Sequence, residues 1–269
     1  MSNCISNTKR KFLTPYSFRL VLCIIFLVLW LNTPKAFAAS LSQRLEAFPQ
    51  WQSKPTLKVV QGDLVYPDWM AGTWDVTSTL IDLVAPLAPD IVTPGFEGNR
   101  QYLHQPVEFV VKFIPQPFTI AGLPFVLLPN STRPIVSDRA FNGLHIAKAY
   151  LGDRAVVSVN VDWRNPNQQT TVLRGENQLI STVTGRNWEN PNPDQFIATE
   201  VTNQVFRTPK QIYINEVETT TAYSLISPNS VEADQVTAIY LSPQDPDYFA
   251  ASGTPVALYR YHLYLEAVN

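Results

Sequence analysis

Cysteine is almost missing from this 269-residue chain. There are two, Cys4 and Cys23, and both lie in an N-terminal stretch that reads as a removable leader. A chain shorn of that stretch has no disulfide and no thiol chemistry. Histidine is scarce as well. His104, His145 and His262 are the only three, none stands at metal-ligand spacing with another, and the pattern argues against a zinc site or any other metal centre. Basic charge is in deficit. Five of the twenty Lys and Arg residues fall within the first 38 positions, leaving fifteen against twenty-two acids, a charge of −7. A nucleic-acid partner calls for the opposite sign, and no basic stripe is present. Glycine is sparse (10) and proline plentiful (22), so the connections are stiff. No phosphate-cradling glycine loop and no nucleophile elbow occurs, which leaves catalysis without positive support and names no catalytic residue.

What is present begins with the leader. Lys9-Arg10-Lys11 opens a basic segment, Leu20 to Leu31 is an unbroken apolar run, and Ala36-Phe37-Ala38 forms an A-x-A cleavage site. This is the order of a secretory signal peptide, cut after Ala38. Residues 39–66 follow as an N-terminal extension, with a short helix expected over Leu41–Phe48 and an extended piece at Leu57–Val60.

The body of the chain reads as strands. In Gly72-Thr73-Trp74-Asp75-Val76-Thr77-Ser78-Thr79-Leu80, the residues Trp74, Val76, Ser78 and Leu80 share one face while Asp75, Thr77 and Thr79 take the other. Gly72 lets the entering backbone turn sharply, and Trp74 is a candidate plug for one end of a closed sheet. Leu103 to Phe113 alternates in the same way. From Phe141 onward strands are expected at Leu144–Leu151, Ala155–Trp163, Gln169–Arg174, Leu179–Asn187, Phe196–Phe206, Gln211–Leu225, Val236–Leu241 and Val256–Val268, with turn residues between them. Glu216 and Glu218 share one face of their strand, and Tyr213, Val217, Tyr223 and Leu225 the other, so the two acids are expected on a solvated outer surface.

The Gly-x-Trp of the first strand, Gly72 and Trp74, resembles the signature of lipocalins and their calycin relatives. That resemblance implies an all-β fold: an antiparallel, lipocalin-like up-and-down β-barrel of about ten strands over residues 67–269. It also makes Arg260 the candidate to pack its guanidinium over the Trp74 indole. Asp68 to Thr77, Val92-Thr93-Pro94-Gly95-Phe96 and Val256-Ala257-Leu258-Tyr259-Arg260-Tyr261 together are similar to an uncharacterised family of cyanobacterial and chloroplast thylakoid-lumen proteins, a domain of unknown function. This second likeness implies an exported protein of the thylakoid lumen or periplasm.

The expected role is non-enzymatic: a barrel that holds a hydrophobic small molecule (a pigment, lipid or quinone) or assists a photosynthetic complex of the thylakoid or inner membrane. A calycin-type isomerase or pigment lyase is one alternative. A haem-binding barrel is another, since haem barrels of the nitrobindin kind also open with Gly-x-Trp and use a late histidine, here His262. Two long, proline-stiffened apolar connections, residues 85–100 and 114–140, are the expected ligand or docking loops. Their candidate residues are Leu87, Phe96, Phe118, Leu123 and Phe125. If the leader is read correctly, intact-mass measurement of exported protein finds a chain beginning at Ala39; a species that keeps residues 1–38 would mean an anchored protein.

Overall fold

The strand at Gly72–Val84 forms as its alternation dictates. Trp74, Val76, Ser78 and Leu80 are buried on one face and Asp75 is exposed on the other. Gly72 enters the strand at φ +130°, a conformation that side chains rarely adopt. A 3-10 turn at Asp68–Met70 precedes it, and the Trp74 indole N–H donates to the Met70 carbonyl at 2.9 Å. Ile81 is squeezed out as a bulge between Leu80 and Asp82, which turns Leu83 back to the buried side.

The computed structural model describes the backbone of residues 40–117, 119–120, 123–124 and 133–268, with side chains for 40–117 and 133–268. In chain order the strands are β1 (Lys58–Val59), β2 (Val65–Tyr66), β3 (Gly72–Val84), β4 (Pro106–Pro115), β5 (Thr119–Ile120), β6 (Leu123–Pro124), β7 (Ile135–Ser137), β8 (Val156–Asp162), β9 (Asn165–Leu173), β10 (Asn177–Asn192), β11 (Gln195–Arg207), β12 (Ile212–Ser227), β13 (Ser230–Leu241) and β14 (Ala257–Ala267). The helices are α1 (Leu41–Glu46), α2 (Phe96–Asn99), α3 (Arg139–Leu151) and α4 (Tyr248–Ala251).

One antiparallel sheet carries the fold, in the order β2-β7-β4-β3-β14-β13-β12-β11-β10-β9-β8, with β1 added beside β10 and β5–β6 apart as a small hairpin. From β8 to β14 it is an up-and-down meander, and β14 pairs with β3, so the first long strand and the last are neighbours. The all-β, antiparallel, barrel-like expectation holds. The eleven-stranded path curls strongly but stays open, a half-barrel. Among the described residues β8 does not pair with β2. Two other elements bridge the gap. Residues 58–66 pair with β10 through Lys58 and Val59 and with β7 through Val65 and Tyr66. Helix α3 packs against β4 on one side and β8 and β9 on the other.

That helix corrects the sequence reading, which placed a strand at Leu144–Leu151. Asp138 caps it by accepting the Phe141 N–H at 3.1 Å, and Gly152 (φ +87°) ends it. Between the caps, Ala140, Leu144, Ala147, Lys148 and Ala149 are good helix formers. Asn142 pins the helix to β4: its Oδ1 accepts the Lys112 N–H at 2.6 Å, and its amide donates to the Lys112 carbonyl at 3.0 Å.

A second correction concerns Glu218. It is fully buried, not solvated. The outer face of β11–β14 is covered by the N-terminal extension, where Leu41, Leu45, Phe48 and Trp51 pack on Ile197, Val236, Ala238, Tyr240 and Leu258. A capping box between Ser40 and Gln43 starts α1. Arg44 then reaches down to Glu218 with two bonds, Nε to Oε1 at 2.5 Å and Nη2 to Oε2 at 2.7 Å. Tyr240 and Trp51 also donate to Oε2, and Thr220 to Oε1. Lys54 pairs with Glu216 beside it. Removing only the cation leaves a buried carboxylate uncompensated, so Arg44→Met should cost ~3–5 kcal/mol in urea unfolding. The double variant Arg44→Met/Glu218→Met should recover most of that loss; a double variant no better than the single one would mean the pair contributes through packing alone.

Candidate functional site

The concave face of the half-barrel, partly roofed by α3, forms a cavity of about 400 Å³ that is open to solvent on one side. Cross-strand register sorts the concave face of the sheet, part of which lines the cavity, by polarity along the strands. One layer runs Phe109, Val76, Leu265, Val231 and Leu225 across β4, β3, β14, β13 and β12, and is entirely apolar. Four residues along, the corresponding layer is Leu80, Tyr261, Gln235 and Thr221, and Thr237 lies just beyond it. Ser78 faces the cavity between the two layers. The roof contributes Asn142, Ile146 and Tyr150, spaced i, i+4, i+8 on one side of α3. Tyr150 is held edge-on to Tyr102, ring centroids 6.2 Å apart, and its hydroxyl lies 3.3 Å from Ser78 Oγ. A second hollow of about 50 Å³ shares Ser78, Tyr150 and Tyr261 with the main cavity and adds Asn99, Tyr102 and Gln105.

None of the described residues lining this cavity carries a charge. The ionic groups that act on Tyr66 and Tyr223 are paired with one another at the seam. Arg139 and Arg186 both donate to Glu200 Oε1, at 2.9 and 2.7 Å, and Arg139 also reaches Asp63 at 3.4 Å. Arg186 and Asn167 hold the Gly62 carbonyl, each at 3.0 Å. Two cations meet two acids there, and the cluster ties β9, β10 and β11 to α3 and the 58–66 segment. The phenols around the cavity stay protonated. Burial raises Tyr223 to about 12 and pushes Tyr66, Tyr150 and Tyr261 up as well. They are hydrogen-bonding hydroxyls, not bases.

The residues singled out by sequence fall in several places. Trp74 is buried in the concave core, packed with Met70, Val111 and Leu265, in a sheet that stays open. Arg260 is not its partner. Trp74 pairs in register with Ala267 whereas Arg260 pairs with Asp82, and the Arg260 side chain lies on the outer face, bonded to Asp234 at 2.9 and 2.7 Å and 5.6 Å from the Phe48 ring. His262, proposed above for a haem, follows two residues later on that same outer face and is exposed. Phe96 does not line the cavity. It is buried against Leu80, Leu83 and Tyr259, and α2 closes that end of the half-barrel as core. Leu87 packs against Leu241, Ala251 and Val256. Phe118 and Phe125 lie outside the described residues, and Leu123 is described by its backbone alone, in β6. The sequence reading missed Asn142, Ile146 and Tyr150. The signal was there, in the four-residue spacing between Asp138 and Gly152.

Among the described residues no group of His, Cys, Asp and Glu could hold a metal ion, and no helix is long and apolar enough to cross a membrane. The class defined is an open antiparallel half-barrel with an uncharged, helix-roofed cavity. Within that class, residues 58–269 match the family model described as "Domain of unknown function (DUF6816)", and the chain belongs to this family. No curated protein and no solved structure matches the chain.

The buried phenols give the protein an alkaline limit. A phenol whose folded pKa is raised above its ordinary ~10 stabilises the fold fully below that pH, and its contribution drains away as pH climbs through the folded value. Urea midpoints should therefore fall between about pH 10 and 12, and Tyr223→Phe should flatten part of the fall. An unchanged slope in that variant would place the titrating groups elsewhere.

Proposed function

We propose that this protein is a non-enzymatic holder of a small, uncharged, mainly apolar molecule, bound in the concave cavity beneath α3. The observation that carries the reading is the cavity itself, about 400 Å³ of space with no charged side chain among the described residues that line it. That volume is at the lower end of the range for small-molecule sites. At ~30 Å³ per water-sized group, and with one side open, it takes on the order of ten to twenty non-hydrogen atoms. This favours a quinone ring or a short lipid chain over a tetrapyrrole pigment or haem. The sequence resemblances to lipocalins and to thylakoid-lumen proteins, together with the leader-like first 38 residues, support a role outside the cytoplasm, in the lumen or periplasm.

A neutral reporter dye tests the reading. N-phenyl-1-naphthylamine should brighten on binding purified protein, and Ile146→Trp should block it. Ile146 lines the cavity yet is 37% exposed, so the larger side chain can fill the space without disturbing a close-packed core. The expected result is at least a tenfold loss of dye affinity with the melting temperature nearly unchanged. Dye binding that survives Ile146→Trp would place the ligand elsewhere.

A further inference from the structure

The cavity is not symmetric, and the asymmetry specifies its ligand more closely. At one end Val76, Val111, Phe113 and Leu265 offer hydrocarbon and aromatic surface; of the polar side chains beside them, Asn142 donates to Ser137 and to the Lys112 carbonyl, and Tyr66 adds one hydroxyl. Toward the other end stand Ser78, Tyr150, Tyr261, Gln235 and Thr237. Their hydrogen bonding is incomplete. Ser78 and Tyr150 share one bond at 3.3 Å, in which a single hydroxyl hydrogen is used. Gln235 Oε1 accepts from Thr221 at 3.1 Å, which leaves the two N–H of its amide. Among the described residues the Tyr261 hydroxyl has no hydrogen-bond partner, and it borders both the cavity and the small side hollow. Several neutral donors thus converge where the two spaces meet, and none of the described residues around either space is charged.

We infer that the site is oriented: it takes an uncharged amphiphile whose hydroxyl or carbonyl end group sits at the Ser78–Tyr150–Tyr261 corner while its apolar body lies over Val76, Val111 and Leu265. This rests on the reading of the cavity as a ligand site. The reverse orientation offers the end group fewer free partners, because Asn142 is already bonded to the Lys112 backbone and to Ser137, and a buried polar group short of partners is unfavourable. An ionised end group finds no counter-charge at the corner, and desolvation then opposes its entry. Phenols kept protonated by burial serve as donors to a carbonyl as readily as acceptors from a hydroxyl. The side hollow, about 50 Å³, has room for a water or a small substituent next to that end group.

Three probes of about equal chain length separate the possibilities: 1-decanol, decanoate and decyltrimethylammonium, each used below its micellar concentration to displace N-phenyl-1-naphthylamine at about pH 8. Decanol should displace the dye at a concentration at least tenfold lower than either ion. In Ser78→Ala/Tyr150→Phe, which removes the two hydroxyls and almost no volume, that preference should narrow three- to tenfold, measured against the variant's own dye affinity. Circular dichroism melting checks that the variant is folded. Equal displacement by all three probes, or an unchanged preference in the double variant, would overturn the oriented site. If either occurs while Ile146→Trp still blocks the dye, the cavity remains a ligand site and only its orientation is wrong. No dye binding by the wild-type chain would sink both readings.

Discussion

The structure depends on a sheet that curls but does not meet itself. Strands paired directly lie ~4.8 Å apart, whereas a helix with its side chains is ~10–12 Å across. Placing α3 between β4 and β8–β9 therefore holds the two limbs of the sheet farther apart than a strand would. A small barrel closed by strands alone tends to fill with its own side chains. Here the helix presents only Asn142, Ile146 and Tyr150 to the interior, and space is left beneath it. The charged cluster at Glu200 and the paired segment 58–66 fasten the same seam from the other side. The cavity is thus a product of how the seam is closed.

The outer face shows the complementary half of the design. Strand β12 is covered on both sides: Val217 and Tyr223 face inward, and Glu218, Thr220 and Ala222 face the N-terminal extension. A sheet wet on its convex side would need no charge there to be buried. Covering it places one carboxylate out of water, and the bidentate Arg44 with three neutral donors supplies the compensation. The arrangement sets the extension in one register, because only one placement of α1 brings Arg44 over Glu218.

Much of the fold was legible because period-two alternation survives in a single sequence. The inward set Trp74, Val76, Ser78 and Leu80 could be read directly, and so could the short helix beginning at Leu41. The errors have physical causes. Glu218 was placed in solvent because alternation tells which residues share a face but not whether a second layer covers it. Leu144–Leu151 was read as a strand because neighbouring turns favoured a meander, although the Asp138 and Gly152 caps carried the helix signal. Arg260 was set over Trp74 on the strength of a family likeness; the alternation along β14 puts it on the opposite face, seven register positions from Ala267, the true partner of Trp74. The cavity itself was beyond reach, since it depends on how far α3 stands from the sheet.

The pairing of β3 with β14 has a consequence for how the molecule assembles. Contacts such as Arg44–Glu218 and the β3–β14 ladder join residues separated by most of the chain, and such long loops must close before their contacts repay the entropy. Folding is accordingly slow by the standard of helical proteins. The meander β8–β13 can form from sequence neighbours, and α3 can pack on β4 early, but the extension cannot be fully seated on its outer face until β14 is made. A nascent chain emerging N-terminus first leaves Leu41, Leu45 and Trp51 waiting, apolar and uncovered, until the final strand arrives. The strand made last is thus one that the first residues of the fold need for their cover.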